Sequence, residues 1–325
     1  MTYEQRKKKP LPYRLKAWLI GILLLSGLIG TVTHVREIEH FVQLMRQAEP
    51  LWLILAVLLQ VTTYFSVAAV WYQAMRHIGI RYSLLKLIPL GIAKLFSDQA
   101  MPSGGMSGTA FFIAALNKRG ISPENCLAIL LLSLVAYYAA YLIAAVTSVL
   151  LLTIYHAMHP WIIAVAVLFC LLAVAIPVSA LWLRRMGRKE LPPKLLRTLG
   201  LSNMLHDFGN ASDELLRNPV LVSTTILLHG SIFLLDSATL WVMLHAVGQH
   251  VSFLVAFPSF VLASIVATLG PIPLGLGTFE VTSVTMLGVL GVPLEAALTS
   301  TLLLRGFTLW LPMLPGLWLA KRELH

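Results

Sequence analysis

Six apolar blocks, each about 20 residues or longer, constrain this chain more than any other feature. They run approximately over Leu15–Thr33, Leu51–Met75, Cys126–Tyr155, Trp161–Leu183, Val220–Val247 and Leu294–Ala320. A helix of about 20 residues spans a hydrocarbon core roughly 30 Å thick. Inside lipid the backbone must satisfy its own hydrogen bonds, which favours helices over open sheets. The expected fold is therefore an all-α polytopic membrane protein. Composition agrees: 12% of the 325 residues are charged and 58% hydrophobic, whereas soluble domains carry roughly 25% charge.

The net charge of +10 sits in loops and does not point to nucleic acid. The first 14 residues are basic, and the apolar run after them is long for a signal peptide and lacks a small-residue cleavage site. That run reads as a retained first helix, followed by a single membrane domain over residues 15–325. The one long polar loop, residues 184–218, carries seven Lys/Arg and is expected to be partly helical.

Two further apolar regions are interrupted. Leu84–Asn117 contains SDQAMPSGGMSG, and Phe253–Leu290 contains GPIPLGLGT. Each has about 13 apolar residues, a Pro/Gly break and about 12 more, too few for two full crossings. If each region enters and returns on one side, twenty Lys/Arg lie on the cytoplasmic side and two, Arg36 and Arg46, lie outside. If each crosses once, the count becomes eleven against eleven. The positive-inside rule favours the first arrangement: six transmembrane helices plus two re-entrant helical hairpins, with both termini cytoplasmic.

The element order then repeats. Helix, hairpin, helix over about residues 51–156 matches the same order over about 219–321, with opposite direction through the membrane. Pro102 and Gly108-Thr109 lie 169 residues before Pro271 and Gly277-Thr278. Inverted repeats with discontinuous helices are a transporter architecture whose substrate site lies near the midplane.

Helix N-termini at the two breaks would point N–H groups and a positive dipole end into a cavity. Gly104, Gly105, Gly108, Gly275 and Gly277, with Thr109 and Thr278, would allow a ligand close to the backbone. An anion such as a phosphate head group suits that setting; tight turning and packing is the alternative role of these glycines. Ionisable residues at membrane depth are functional candidates by default. Lys94 and Asp98, at i and i+4, read as a pair, structural or functional. Asp236, mid-helix beside Ser231, Ser237 and Thr239, reads as a proton site or the partner of a cation. Glu280 either caps its half-helix or contacts substrate. Arg305 needs a partner, with Glu280, Asp236 and a substrate phosphate as candidates.

Other signals are weaker. His229 and His245 lack a metal-binding pattern, and Tyr137, Tyr138 and Tyr141 suit helix packing. Trp52, Trp161, Trp310 and Trp318 suit membrane interfaces. Cys126 and Cys170 read as small hydrophobes. With no P-loop, dinucleotide fingerprint, nucleophile elbow or metal motif, the expectation is no enzyme, no cofactor and no metal.

The segments MPSGGMSGTAFFIAALNKRGIS and PIPLGLGTFEVTSVTMLGVLGVPLEAALTSTLLLRGFTLWLPMLPG resemble the two motifs of the lysylphosphatidylglycerol synthetase transmembrane-region family, also called flippase-like domain proteins. The resemblance implies movement of a lipid across the bilayer. It places Gly275, Gly277, Glu280 and Arg305 in the functional core. The family's usual Pro-Gly-Gly-Leu-Gly is here Pro273-Leu274-Gly275-Leu276-Gly277. No soluble aminoacyl-transfer domain is expected, so synthesis of an aminoacyl lipid is not.

The resulting expectation is a flippase-like transporter of a phosphate-bearing lipid (phospholipid, glycolipid or polyprenyl-linked) in a prokaryotic cytoplasmic membrane. A small-ion or metabolite transporter and a non-catalytic membrane subunit of a lipid-modifying or glycosyltransferase system are the alternatives. Expected partners are the anionic lipid, a second copy of the chain and a lipid- or glycan-biosynthetic enzyme.

Overall fold

The computed structural model describes residues 48–100, 106–187, 214–270 and 273–324, which contain helices and turns and no strand. The helices are α1 (Pro50–His77), α2 (Leu84–Ala100), α3 (Met106–Asn117), α4 (Pro123–Ile154), α5 (Pro160–Gly187), α6 (Pro219–Ala246), α7 (Phe253–Leu269), α8 (Thr278–Val289), α9 (Leu294–Arg305) and α10 (Leu311–Leu324). A π turn, Gly306–Trp310, joins α9 to α10, and one helical turn, Glu214–Arg217, precedes α6.

Five helical runs are long and apolar enough to cross a membrane: α1, α4, α5, α6 and the joined α9–α10. They match five of the six expected spans. The sixth, Leu15–Thr33, lies outside the described residues, as do Pro102, Gly104 and Gly105, Pro271 and most of the basic loop. Local chemistry explains where the helices begin. Proline opens α1, α4 and α6, where a missing N–H costs nothing. Ser122 and Asn218 cap α4 and α6 by accepting from the N–H groups of Asn125 and Leu221.

Element lengths repeat along the chain. α1 and α6 have 28 residues each, and α2 and α7 have 17 each. In both pairs the second member starts 169 residues after the first. α3 and α8 have 12 residues each and start 172 apart. Gly79 and Gly248 follow α1 and α6 at φ +77° and +80°, a conformation that ends a helix and favours glycine. The spacing seen in a few residues of the breaks thus extends to whole helices.

α1 and α6 pack closely and run antiparallel. Trp52 meets His245, Gln60 meets Thr239 and Ser66 meets Ser231, so numbers rise on one helix as they fall on the other. The half-helices beside each break are also in contact. Residues ten apart in a straight helix would be about 15 Å apart, yet Asp98 and Gly108 are hydrogen-bonded. The apolar core of the first set forms where Trp71 of α1 meets Phe112 of α3, 4.6 Å between rings, over Leu87, Leu90 and Ala93 of α2. α10 crosses α2 so closely that a Cβ on Gly316 would stand 2.6 Å from Phe96 Cβ. Outward faces stay apolar: Ile163, Val167, Leu171, Val174, Val178 and Trp182 of α5 are all exposed. Such a surface is costly in water and suited to lipid.

Candidate functional site

The second break folds around Arg305. Its Nε donates to Glu280 Oε1 at 2.7 Å and its Nη2 to the Leu274 carbonyl at 2.9 Å. The Gly277 N–H donates to the other oxygen, Glu280 Oε2, at 2.7 Å. Glu280 therefore takes the capping role the sequence offered it at the first turn of α8, and it is also the partner of Arg305. The guanidinium also lies over the Phe279 ring, 5.0 Å from its centre. Thr278 Oγ1 donates to the Gly275 carbonyl at 3.0 Å, closing the turn. Of the three partners considered for Arg305, the structure brings Glu280 to it, and no hydrogen bond or ion pair joins it to Asp236 among the described residues.

Leu274 is the strained point. Its φ of +63° is left-handed, costing a residue with a Cβ roughly 1–2 kcal/mol. This is the position where the resemblance led us to expect glycine. The backbone keeps the glycine-like turn, and that turn aims the carbonyl at Arg305. Leu274→Gly should therefore preserve the site and be neutral or up to about 1 kcal/mol more stable, the relief being partly offset by glycine's unfolded-state entropy. Thermal unfolding in detergent checks this. A clear loss of stability would mean that the half-buried leucine side chain matters more than its backbone.

The first break has a parallel arrangement. Lys94 Nζ donates to Asp98 Oδ2 at 2.8 Å, and the Gly108 N–H donates to Asp98 Oδ1 at 2.8 Å. Ser107 Oγ donates to the Ser97 carbonyl at 2.8 Å. A Cβ on Gly108 would stand 2.4 Å from the Asp98 carboxylate; only glycine lets the acid reach this N–H. Thr109 is half-buried in the first turn of α3. Gly108 and Gly277 are the glycines that align at 169 residues. At each, a carboxylate bridges the glycine N–H to a cationic side chain. The open N–H groups expected at these two positions are thus occupied by the chain's own acids. Both pairs remain partly accessible, with side-chain exposure of 12% and 17% for Arg305 and Glu280, and 22% and 23% for Lys94 and Asp98.

Asp236 stands apart, half-buried on α6 against α1. Gln60 Nε2 donates to Asp236 Oδ1 at 3.1 Å and to Thr239 Oγ1 at 3.0 Å. Gln60 was not singled out from sequence because it carries no charge; a lone amide in the apolar run LILAVLLQVTTYF was its only signal. His229 shares a hydrogen bond with Ser133 through Nε2, 3.1 Å. His245 packs between Trp52 and Trp241. No His, Cys, Asp or Glu cluster able to hold a metal occurs among the described residues. Tyr137 and Tyr141 pack against Phe233, and Tyr141 also against Phe169, as helix packing requires.

No curated protein matches the chain significantly. Comparison with protein families matches residues 18–316, most of the chain, to the family described as the lysylphosphatidylglycerol synthase TM region. The order of its two glycine-rich breaks, the Glu280–Arg305 pair and this match along nearly its whole length agree: the chain belongs to the lysylphosphatidylglycerol synthase transmembrane-region family.

Proposed function

We propose that this membrane protein moves a lipid with a phosphate-bearing head group across the cytoplasmic membrane, passing the head group between two re-entrant tips of an inverted repeat. The observation that carries this reading is the repeated motif itself. Two breaks, 169 residues apart in register, each present a glycine N–H, a carboxylate and a cation. The antiparallel packing of the equal-length helices α1 and α6 supports opposite orientation of the two sets. A guanidinium has five N–H donors. Two of those on Arg305 hold Glu280 and Leu274, and others can serve a phosphate in the fork geometry that favours arginine. Glu280, accepting from the Gly277 N–H and from Arg305 Nε, holds the guanidinium at the tip where a phosphate would meet it. The acyl or prenyl tail stays in the membrane, and one repeat rocks against the other.

The reading places both termini on the cytoplasmic side and assigns no catalytic step to this chain. Its test is reconstitution into vesicles holding tail-labelled phosphatidylglycerol or a labelled polyprenyl phosphate, with leaflet exchange followed by quenching from outside. Wild-type protein should accelerate exchange of at least one of these lipids. Glu280→Ala should slow it at least tenfold, the loss expected when about 1.4 kcal/mol of site stabilisation disappears. If Glu280→Ala exchanges every lipid at the wild-type rate, the tips are not the route.

A further inference from the structure

We propose that Asp236 is a proton-binding site within the membrane, taking up and releasing a proton at the α1–α6 interface. Any coupling of this proton to transport rests on the function proposed above; the proton site itself does not. The argument begins with a contrast between the intramembrane acids. Asp98 and Glu280 each have both oxygens engaged, one by a backbone N–H and one by a cation. Asp236 has neutral neighbours. Gln60 donates to one of its oxygens, and the hydroxyl of Thr63 lies beside it. No ion pair to it occurs among the described residues. An ionised carboxylate at membrane depth without a cation is expensive, and taking a proton removes that charge without any movement of the chain.

The surroundings suit a proton. From α1, Tyr64 faces the acid with Gln60 and Thr63; from α4, Tyr137 does so. α7 contains no titratable residue. α9 contains Glu295, which is exposed, and Arg305, which is engaged by Glu280. On α6 itself His229 lies seven residues before Asp236, about 10 Å along the same face. The Tyr137 ring lies 5.6 Å from that imidazole, and Ser133 bonds its Nε2. Its Nδ1 is buried and has no hydrogen-bond partner among the described residues. Tyr137 thus stands near Asp236 and also against His229, which Ser133 bonds. Gln60 donates to Oδ1, and the proton is assigned to Oδ2.

The infrared carbonyl stretch of a protonated carboxylic acid tests this in purified, reconstituted protein without any lipid substrate. Wild type should show a protonated-carboxyl band that is lost as the buffer is made more alkaline. Asp236→Asn, nearly isosteric and checked for folding by size-exclusion chromatography, should lack it. In Gln60→Leu the band should persist but move to higher frequency, because the carbonyl loses its hydrogen-bond donor. A wild-type protein without a titrating band, a band that survives in Asp236→Asn, or an unmoved band in Gln60→Leu overturns the proposal. Because no transported lipid enters the measurement, failure of the flippase reading would leave this result standing.

Discussion

Arg305→Ala is expected to be among the most damaging single substitutions in the protein, because it removes one half of a partly buried ion pair and leaves the other half in place. Glu280 would keep its bond from the Gly277 N–H but lose its cation, and the Leu274 carbonyl would lose its donor. Removing one partner of a buried pair typically costs about 3–5 kcal/mol, most of it the uncompensated charge. The two side chains are only 12% and 17% exposed, so most of that cost applies to this pair. The π turn adds a second consequence. Arg305 is the last residue of α9, and Gly306–Trp310 follows directly. The arginine therefore ties the second break to the point where the last helix changes its winding, a feature often found at functional sites.

A double-mutant cycle separates charge loss from packing loss. Glu280→Gln combined with Arg305→Ala should recover part of the stability lost by Arg305→Ala alone, since no bare carboxylate remains. Thermal unfolding in detergent reads the stability, and vesicle exchange reads function. Transport should not recover in the double variant. Additive stability losses with no recovery would mean that the pair contributes packing and not charge compensation.

Much of this was legible in the sequence, and for a physical reason. Burying backbone in lipid demands long apolar helices, so five spans could be placed within a few residues of their ends by counting apolar positions. The breaks were legible because Pro and Gly cannot continue a helix unnoticed, and Arg305 because a charge among leucines is conspicuous. What could not be read were contacts set by backbone conformation. Nothing in the letters PLGLG says that Leu274 takes a left-handed φ and offers its carbonyl to a residue 31 positions away. Nor does composition reveal that Asp98 and Glu280 fill the N–H groups that glycine exposes. Gln60 escaped because an uncharged amide needs no ionic partner and so did not stand out as a site candidate. Its role emerges only when antiparallel packing brings α1 against Asp236.

Gly275→Ala carries the second large expected effect, because two independent costs fall on one methyl group. Gly275 has φ +63°, where a Cβ costs roughly 1–2 kcal/mol. That Cβ would also stand 2.4 Å from Ala267 Cβ and 3.2 Å from its Cα on α7, a clash with the helix body and not with a flexible tip. Overpacking of this kind adds about 1–3 kcal/mol, giving a total near 2–5 kcal/mol. Gly277→Ala provides the comparison. It has φ +80° but nothing within 4 Å of the added methyl, so it should cost only the strain term. Ala267→Gly, made together with Gly275→Ala, should return most of the clash energy but none of the strain. That would leave the double variant close to Gly277→Ala. Chemical or thermal unfolding of the four proteins reads these differences directly. If Ala267→Gly brings no recovery, the second break does not press against α7 as tightly as this geometry requires.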